Sequence, residues 1–161
     1  MAFISRRSER SPHPRPVSQM ALRLRAEARN DQETARRYRG REPDVAAAEA
    51  VVDATFELAV RRRFGSTPDR RTVSDFVADL VRRYCPERMR AIDMETVVRA
   101  ALGEDVPLDG IDRRTMVLTR MLAGPDALQQ ARLSDTELDK LLYDAEQLAT
   151  TRGARIVPAE H

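Results

Sequence analysis

The 161-residue chain holds 28 basic and 26 acidic residues, with 42% hydrophobic and 34% charged content. That length and apolar share suit one domain with a true core, and no apolar run reaches the length of a signal-peptide core or a membrane span. The lone cysteine, Cys85, excludes an internal disulfide and a cysteine-rich metal site, so a reduced, cytoplasmic setting is expected.

The charges are unevenly placed. Met1 to Pro43 carries 11 arginines against five acids, a net +6, whereas Asp44 to His161 carries 17 basic and 21 acidic residues, a net −4. Such a split describes a basic arm on an acidic body, able to bind a polyanion or to dock on the body itself. Lys140 is the only lysine. That bias is expected of a bacterial GC-rich genome and lowers the weight of each arginine as a sign of binding.

Residues 1–17 include SRRSERSPHPRPV, four arginines and three prolines with little to bury. They are expected to form a disordered basic tail. Residues 18–43 follow as a marginal basic helix and linker. MALRLRAEAR alternates apolar and polar residues, as a strand does, but its residue types are strong helix formers. In helical register Arg25, Arg29, Arg36 and Arg39 share one face, while Leu24, Ala28, Ala35 and Tyr38 make a thin apolar stripe. On this reading, removing Met1 to Gly40 leaves the body folded.

Residues 44–153 read as an all-α bundle of about five helices, with a C-terminal tail at 154–161. In DVAAAEAVVDATFELAVRRRF the polar residues Glu49, Asp53, Glu57 and Arg61 recur every four positions in an otherwise apolar helix, which suits the centre of a bundle. TVSDFVADLVRRYC turns Val73, Phe76, Val77, Leu80, Val81 and Tyr84 inward, with Thr72 and Asp75 resembling a capping box. A third helix is predicted over 93–102 and a fourth over 112–123, the latter pointing Leu118, Met121 and Leu122 inward. Pro125 to Ala131 adds at most a short turn. The last helix carries a Ser134–Glu137 capping box, a Leu133–Leu138 staple and an inner face that includes Leu141. All six glycines fall where a helical pattern starts or stops. Phe56, Leu80 and Leu141 are expected to be deeply buried.

Catalytic and cofactor signals are weak. Neither GxxxxGK[ST] nor GxGxxG occurs, and the two histidines, His13 and His161, lie near the ends of the chain. GEDVPLDGID groups Glu104, Asp105, Asp109 and Asp112, but its spacing is not that of a calcium loop, and Asp112 suits an N-cap. Cys85 sits among Arg82, Arg83 and Arg88 and reads as a structural cysteine before a reactive one. RRRFGSTPDRR gathers five arginines around a turn, and a solvated loop explains it better than an anion site. Thr72 to Leu102 is a poor helix-turn-helix: the link CPERMRAID is too long and the second helix has one outward arginine.

The expectation is therefore a non-enzymatic helical adaptor or assembly component that binds a protein partner, with no catalytic residue, cofactor, metal or membrane contact. The alternative is a nucleic-acid-associated regulator that uses the arm for sequence-indifferent phosphate contacts. Contacts to a polyanion or partner are expected at Arg6, Arg7, Arg10, Arg25, Arg29, Arg36 and Arg39. Base stacking has little support, because the chain has seven aromatic residues and no tryptophan.

Overall fold

The computed structural model describes residues 13–84 and 89–160. Arg6, Arg7, Arg10, Cys85, Arg88 and His161 lie outside the described residues, with the readings attached to them. The chain is all-helical there, apart from one isolated antiparallel bridge between Ser18 and Pro158. It holds seven helices among the described residues, where about five were expected: α1 (Gln19–Ala28), α2 (Gln32–Tyr38), α3 (Val45–Phe64), α4 (Arg70–Tyr84), α5 (Ala91–Ala101), α6 (Arg113–Gln130) and α7 (Asp135–Thr151).

The extra count comes from the segment expected to stand beside the bundle. Ser18 caps α1 by accepting from the Ala21 N–H at 3.2 Å, and Asp31 caps α2 by accepting from the Thr34 N–H at 3.0 Å. Between them Asn30 takes φ +58°, a left-handed turn that asparagine tolerates better than most residues. One run of good helix formers thus becomes two helices. Met20, Ala21, Leu24 and Ala28 of α1 then join the same core cluster as Val51, Phe56, Leu80 and Leu142.

Helix α3 is the central element, in contact with α1, α5, α6 and α7. Asp44 caps it, accepting from the Ala47 N–H at 3.1 Å, and Ala48, Val51, Val52, Ala54, Phe56, Ala59 and Val60 are buried. Its acidic stripe is a line of crosslinks. Glu49 pairs with Arg113 at 2.5 Å, Asp53 with Arg120 at 3.0 Å and Glu57 with Arg152 at 2.7 Å. The first two pairs advance along both chains together, so α3 and α6 run parallel. Glu57–Arg152 and Arg62–Glu137 advance in opposite senses, so α7 runs antiparallel to α3.

Helix α6 departs most from expectation. It continues from Arg113 to Gln130 through Gly124 and Pro125, so Gly124 is not a helix end. The residue before a proline is normally pushed out of helical geometry, partly by its Cβ. Glycine has none. Gly124 also lies against Phe56, where a built Cβ would meet the Phe56 Cα at 3.6 Å. The inner face is Thr115, Thr119, Ala123, Ala127 and Leu128, while Leu118, Met121 and Leu122 are only half-buried. Both threonines are reconciled to burial by hydrogen bonds: Thr115 donates to Asp112 at 2.8 Å and Thr119 to the Thr115 carbonyl at 2.7 Å.

Three smaller corrections follow the same logic. Helix α4 begins before Thr72, because Asp69 accepts from the Thr72 N–H at 3.2 Å and takes the capping role given to Thr72 and Asp75. Tyr84, at the last residue of α4, is exposed, and Leu141 is half-buried on the flank of α7. Phe56 and Leu80 are fully buried, and the Ser134–Glu137 capping box is present with both of its bonds.

Candidate functional site

The four described arginines expected to make contacts, Arg25, Arg29, Arg36 and Arg39, do not form one surface. Arg25 and Arg29 face α7. Arg25 Nε donates to Asp139 Oδ1 at 2.5 Å, and Arg29 Nη2 donates to the Leu133 carbonyl at 2.8 Å and pairs with Asp135 at 2.9 Å. His13 Nε2 stands 3.3 Å from Asp139, whose side chain is almost buried. Further along α7, Glu146 is 1% exposed and accepts from the backbone N–H groups of Ser18 at 2.7 Å and Val17 at 3.0 Å. Ala159 N–H donates to the Val17 carbonyl at 2.8 Å. Residues 13–29 are thus bound to the acidic face of α7 and to the C-terminal strand-like segment.

Arg36 and Arg39 are different. Both are exposed, and neither makes an ion pair among the described residues; the same holds for Arg41 and Arg114. Arg37, between them, pairs with Glu33 at 2.5 Å. The arginines of RRRFGSTPDRR are mostly engaged: Arg61 with Glu57, Arg62 with Glu137, Arg63 with Gln130 and Arg71 with Asp75.

Two open clefts flank the outer face of α6. One, of about 230 Å³, lies between α1, α3 and α6 over Met20, Val45, Val52 and Val117. The other, of about 510 Å³, lies between the α1–α2 turn, the end of α4 and α6, with Arg39, Tyr84, Leu118 and Leu122 in its wall. They share Arg23 and Met121, so Met121 is the ridge between them. Val117, Leu118 and Leu122 are half-buried but do not join the core cluster. Val45 at the edge is 68% exposed.

The electrostatics of this face are ordered. Asp126 is buried and pairs with Arg83 at 2.7 Å, and that hydrogen bond holds the Arg83 guanidinium above its ordinary range. Gln130 also donates to Asp126, at 3.0 Å, so the carboxylate has partners on both oxygens. Glu42 Oε1, in the first cleft, is buried without a hydrogen-bond donor; its nearest cation is Arg23 at 3.7 Å. Arg120 Nε is within 3.0 Å of Asp53 but poorly aligned for a hydrogen bond.

Elsewhere the acidic loop resolves into structural roles. Asp112 caps α6, its carboxyl held below the usual range by the Thr115 backbone N–H, and Glu104 meets Arg99 at 3.1 Å. Among the described residues no group of His, Cys, Asp or Glu is arranged to hold a metal ion, and no helix is long and apolar enough to cross a membrane. The α6 face escaped sequence reading because periodicity cannot tell which of two apolar-rich faces turns inward when threonine can be satisfied in a core. The one available signal was the pairing of Asp112 with Thr115, which marks the inner edge. No protein-family model matches the chain, and no curated protein or solved structure matches it either.

Proposed function

We propose that this chain is a non-enzymatic helical adaptor whose outer α6 face receives a protein partner. One observation carries the reading: α6 buries Thr115 and Thr119 and leaves Val117, Leu118 and Leu122 outside the core cluster. Full burial of a leucine or valine contributes about 1.5–3 kcal/mol. A helix that realises only part of that contribution at Val117, Leu118 and Leu122, while spending hydrogen bonds to bury hydroxyls, presents a surface suited to being covered by something else. The two clefts on either side supply the depth that a flat patch lacks.

The test is site-specific photo-crosslinking in lysate of the source cells, with and without nuclease treatment, from a benzoyl-phenylalanine at Leu118 and, as control, at the exposed Ile92. A discrete protein adduct from Leu118 that is absent from Ile92 is the expected result. Equal adducts from both positions, or an adduct that vanishes with nuclease, would overturn it. The nuclease-sensitive outcome favours the alternative, a nucleic-acid-associated regulator, for which the exposed Arg36, Arg39 and Arg41 are the supporting feature.

A further inference from the structure

We propose that the cleft between α1, α3 and α6 binds a small apolar amine, with Glu42 as its counter-charge. The proposal does not rest on the docking of a protein to α6. Three helices wall this cleft: Met20 comes from α1, Ala48 and Val52 from α3, and Val117 and Met121 from α6. Ligand sites in helical proteins are commonly apolar recesses of this kind, with one or two polar groups that fix the ligand's orientation. The cleft holds about 230 Å³. At the roughly 30 Å³ that a water takes in the liquid, that volume suits a molecule of about seven or eight non-hydrogen atoms.

Glu42 selects the ligand's charge. Every other charged group lining the cleft has a close partner. Arg120 lies 3.0 Å from Asp53, Glu49 lies 2.5 Å from Arg113, and Arg23 gives its Nε to Glu27 at 2.9 Å. Glu42 is left with the far side of that same Arg23, at 3.7 Å, and its Oε1 is buried with no hydrogen-bond donor. Arg23, Glu27 and Glu42 therefore share one positive charge between two carboxylates. Glu42 also borders the smaller recess toward the C-terminal segment, where Asp44 caps α3 and the exposed Arg155 pairs with neither acid. A buried carboxylate oxygen without a donor is costly, and a charged donor offsets that cost better than a neutral one. The last torsion of a glutamate is broad and roughly two-fold, so either oxygen can be turned to the cleft. An alkylammonium brings three N–H donors and a positive charge to that carboxylate, while its chain lies over Val52, Val117 and Met121. An alcohol brings the same chain without the charge, and a fatty acid brings the wrong one.

The probe is hexylamine, titrated at neutral pH into the full chain and followed by nuclear magnetic resonance of isotope-labelled methionine methyl groups. Met20 and Met121 line the cleft, and Met94, fully buried on α5, is the internal control. The Met20 and Met121 signals should shift saturably while the Met94 signal stays in place. Hexanol should bind about tenfold or more weakly, because it lacks the charge, and hexanoate should fail to displace hexylamine. Glu42→Gln should weaken hexylamine about tenfold or more, to the level of hexanol, and leave both hexanol binding and circular dichroism unchanged. Equal binding of hexylamine and hexanol, or undiminished binding of hexylamine to Glu42→Gln, overturns the proposal, as does the absence of any saturable shift. A lysine-bearing peptide that moves both methyl signals where hexylamine does not would give the carboxylate to a protein partner, and that also overturns the small ligand. Leu118→Asp, in the other cleft, should leave the titration unchanged, so this test and the crosslinking at Leu118 fail independently.

Discussion

Residues 23–29 hold three arginines and residues 36–41 four, and apart from Arg37, which pairs with Glu33, the structure uses the two sets in opposite ways. Arg23, Arg25 and Arg29 are each held by carboxylates, of Glu27, Asp139 and Asp135 respectively, whereas Arg36, Arg39 and Arg41 are exposed without ion pairs among the described residues. Arg25 and Arg29 of the first group fasten α1 to α7. The second group stays in solvent, with Arg39 at the edge of a cleft. Arginine density therefore says little by itself, and what decides is whether the helix beneath carries apolar residues that must be buried. α1 brings Met20, Ala21, Leu24 and Ala28 into the core, so Arg25 and Arg29 are drawn to within reach of α7; α2 buries only Ala35 and leaves its cations outside.

The most severe way to break this comparison is to delete residues 1–40. Because α1 is part of the core, the truncated chain should lose its sharp thermal transition by circular dichroism, contrary to the expectation of an independent body. A truncated chain that melts as the full one does would return α1 to the status of an attached arm. Within α1, Leu24→Ala should cost about 2–5 kcal/mol in denaturant unfolding.

Glu146→Leu comes next, at about 2–4 kcal/mol, because it leaves the buried N–H of Ser18 and that of Val17 without their acceptor. Glu146→Gln keeps one carbonyl oxygen and should lose less than half as much. The arginines themselves then separate. Arg25→Ala strips the nearly buried Asp139 of its guanidinium and should cost about 1–3 kcal/mol, whereas Arg36→Ala and Arg39→Ala should each stay within about 0.5 kcal/mol. Equal costs for Arg25 and Arg36 would remove the distinction between fastened and free cations.

The smallest effect lies in the caps. Ser134→Ala should cost about 0.5–2 kcal/mol. Its partner Glu137 has a carboxyl held below the ordinary range, first by the Ser134 backbone N–H. A carboxyl depressed in the folded state releases its proton there sooner than in the unfolded chain, so its contribution is present above about pH 4–5 and fades as the pH falls below its folded value. The melting temperature of the wild-type chain should fall more steeply below pH 4 than that of Glu137→Gln.

Much of this architecture was legible beforehand, for reasons tied to particular residues. The central helix showed itself because an apolar run from Val45 to Val60 is interrupted only at four-residue intervals. The capping box at Ser134 needs nothing beyond local sequence. The α1 docking was not legible, since Leu24 and Met20 make too thin a stripe alone, and their burial depends on Asp139 and Glu146, more than 110 residues away. The α6 face was misassigned for a related reason: Leu118 and Thr119 differ by one position, and only the packing of Gly124 on Phe56 decides which turns inward.

The clasp between Glu146 and the backbone of Ser18 spans 128 residues of chain. Its two halves are therefore made far apart in synthesis. At roughly 5–20 residues per second, α1 waits about 6–25 s on the ribosome before α7 exists to receive it. During that interval Met20 and Leu24 have no core to enter, and the contact is also among the slowest to find in refolding because its loop is so long. A nascent chain stalled before Asp135 should carry an α1 that proteases cut readily, and one released past Thr151 an α1 that they do not.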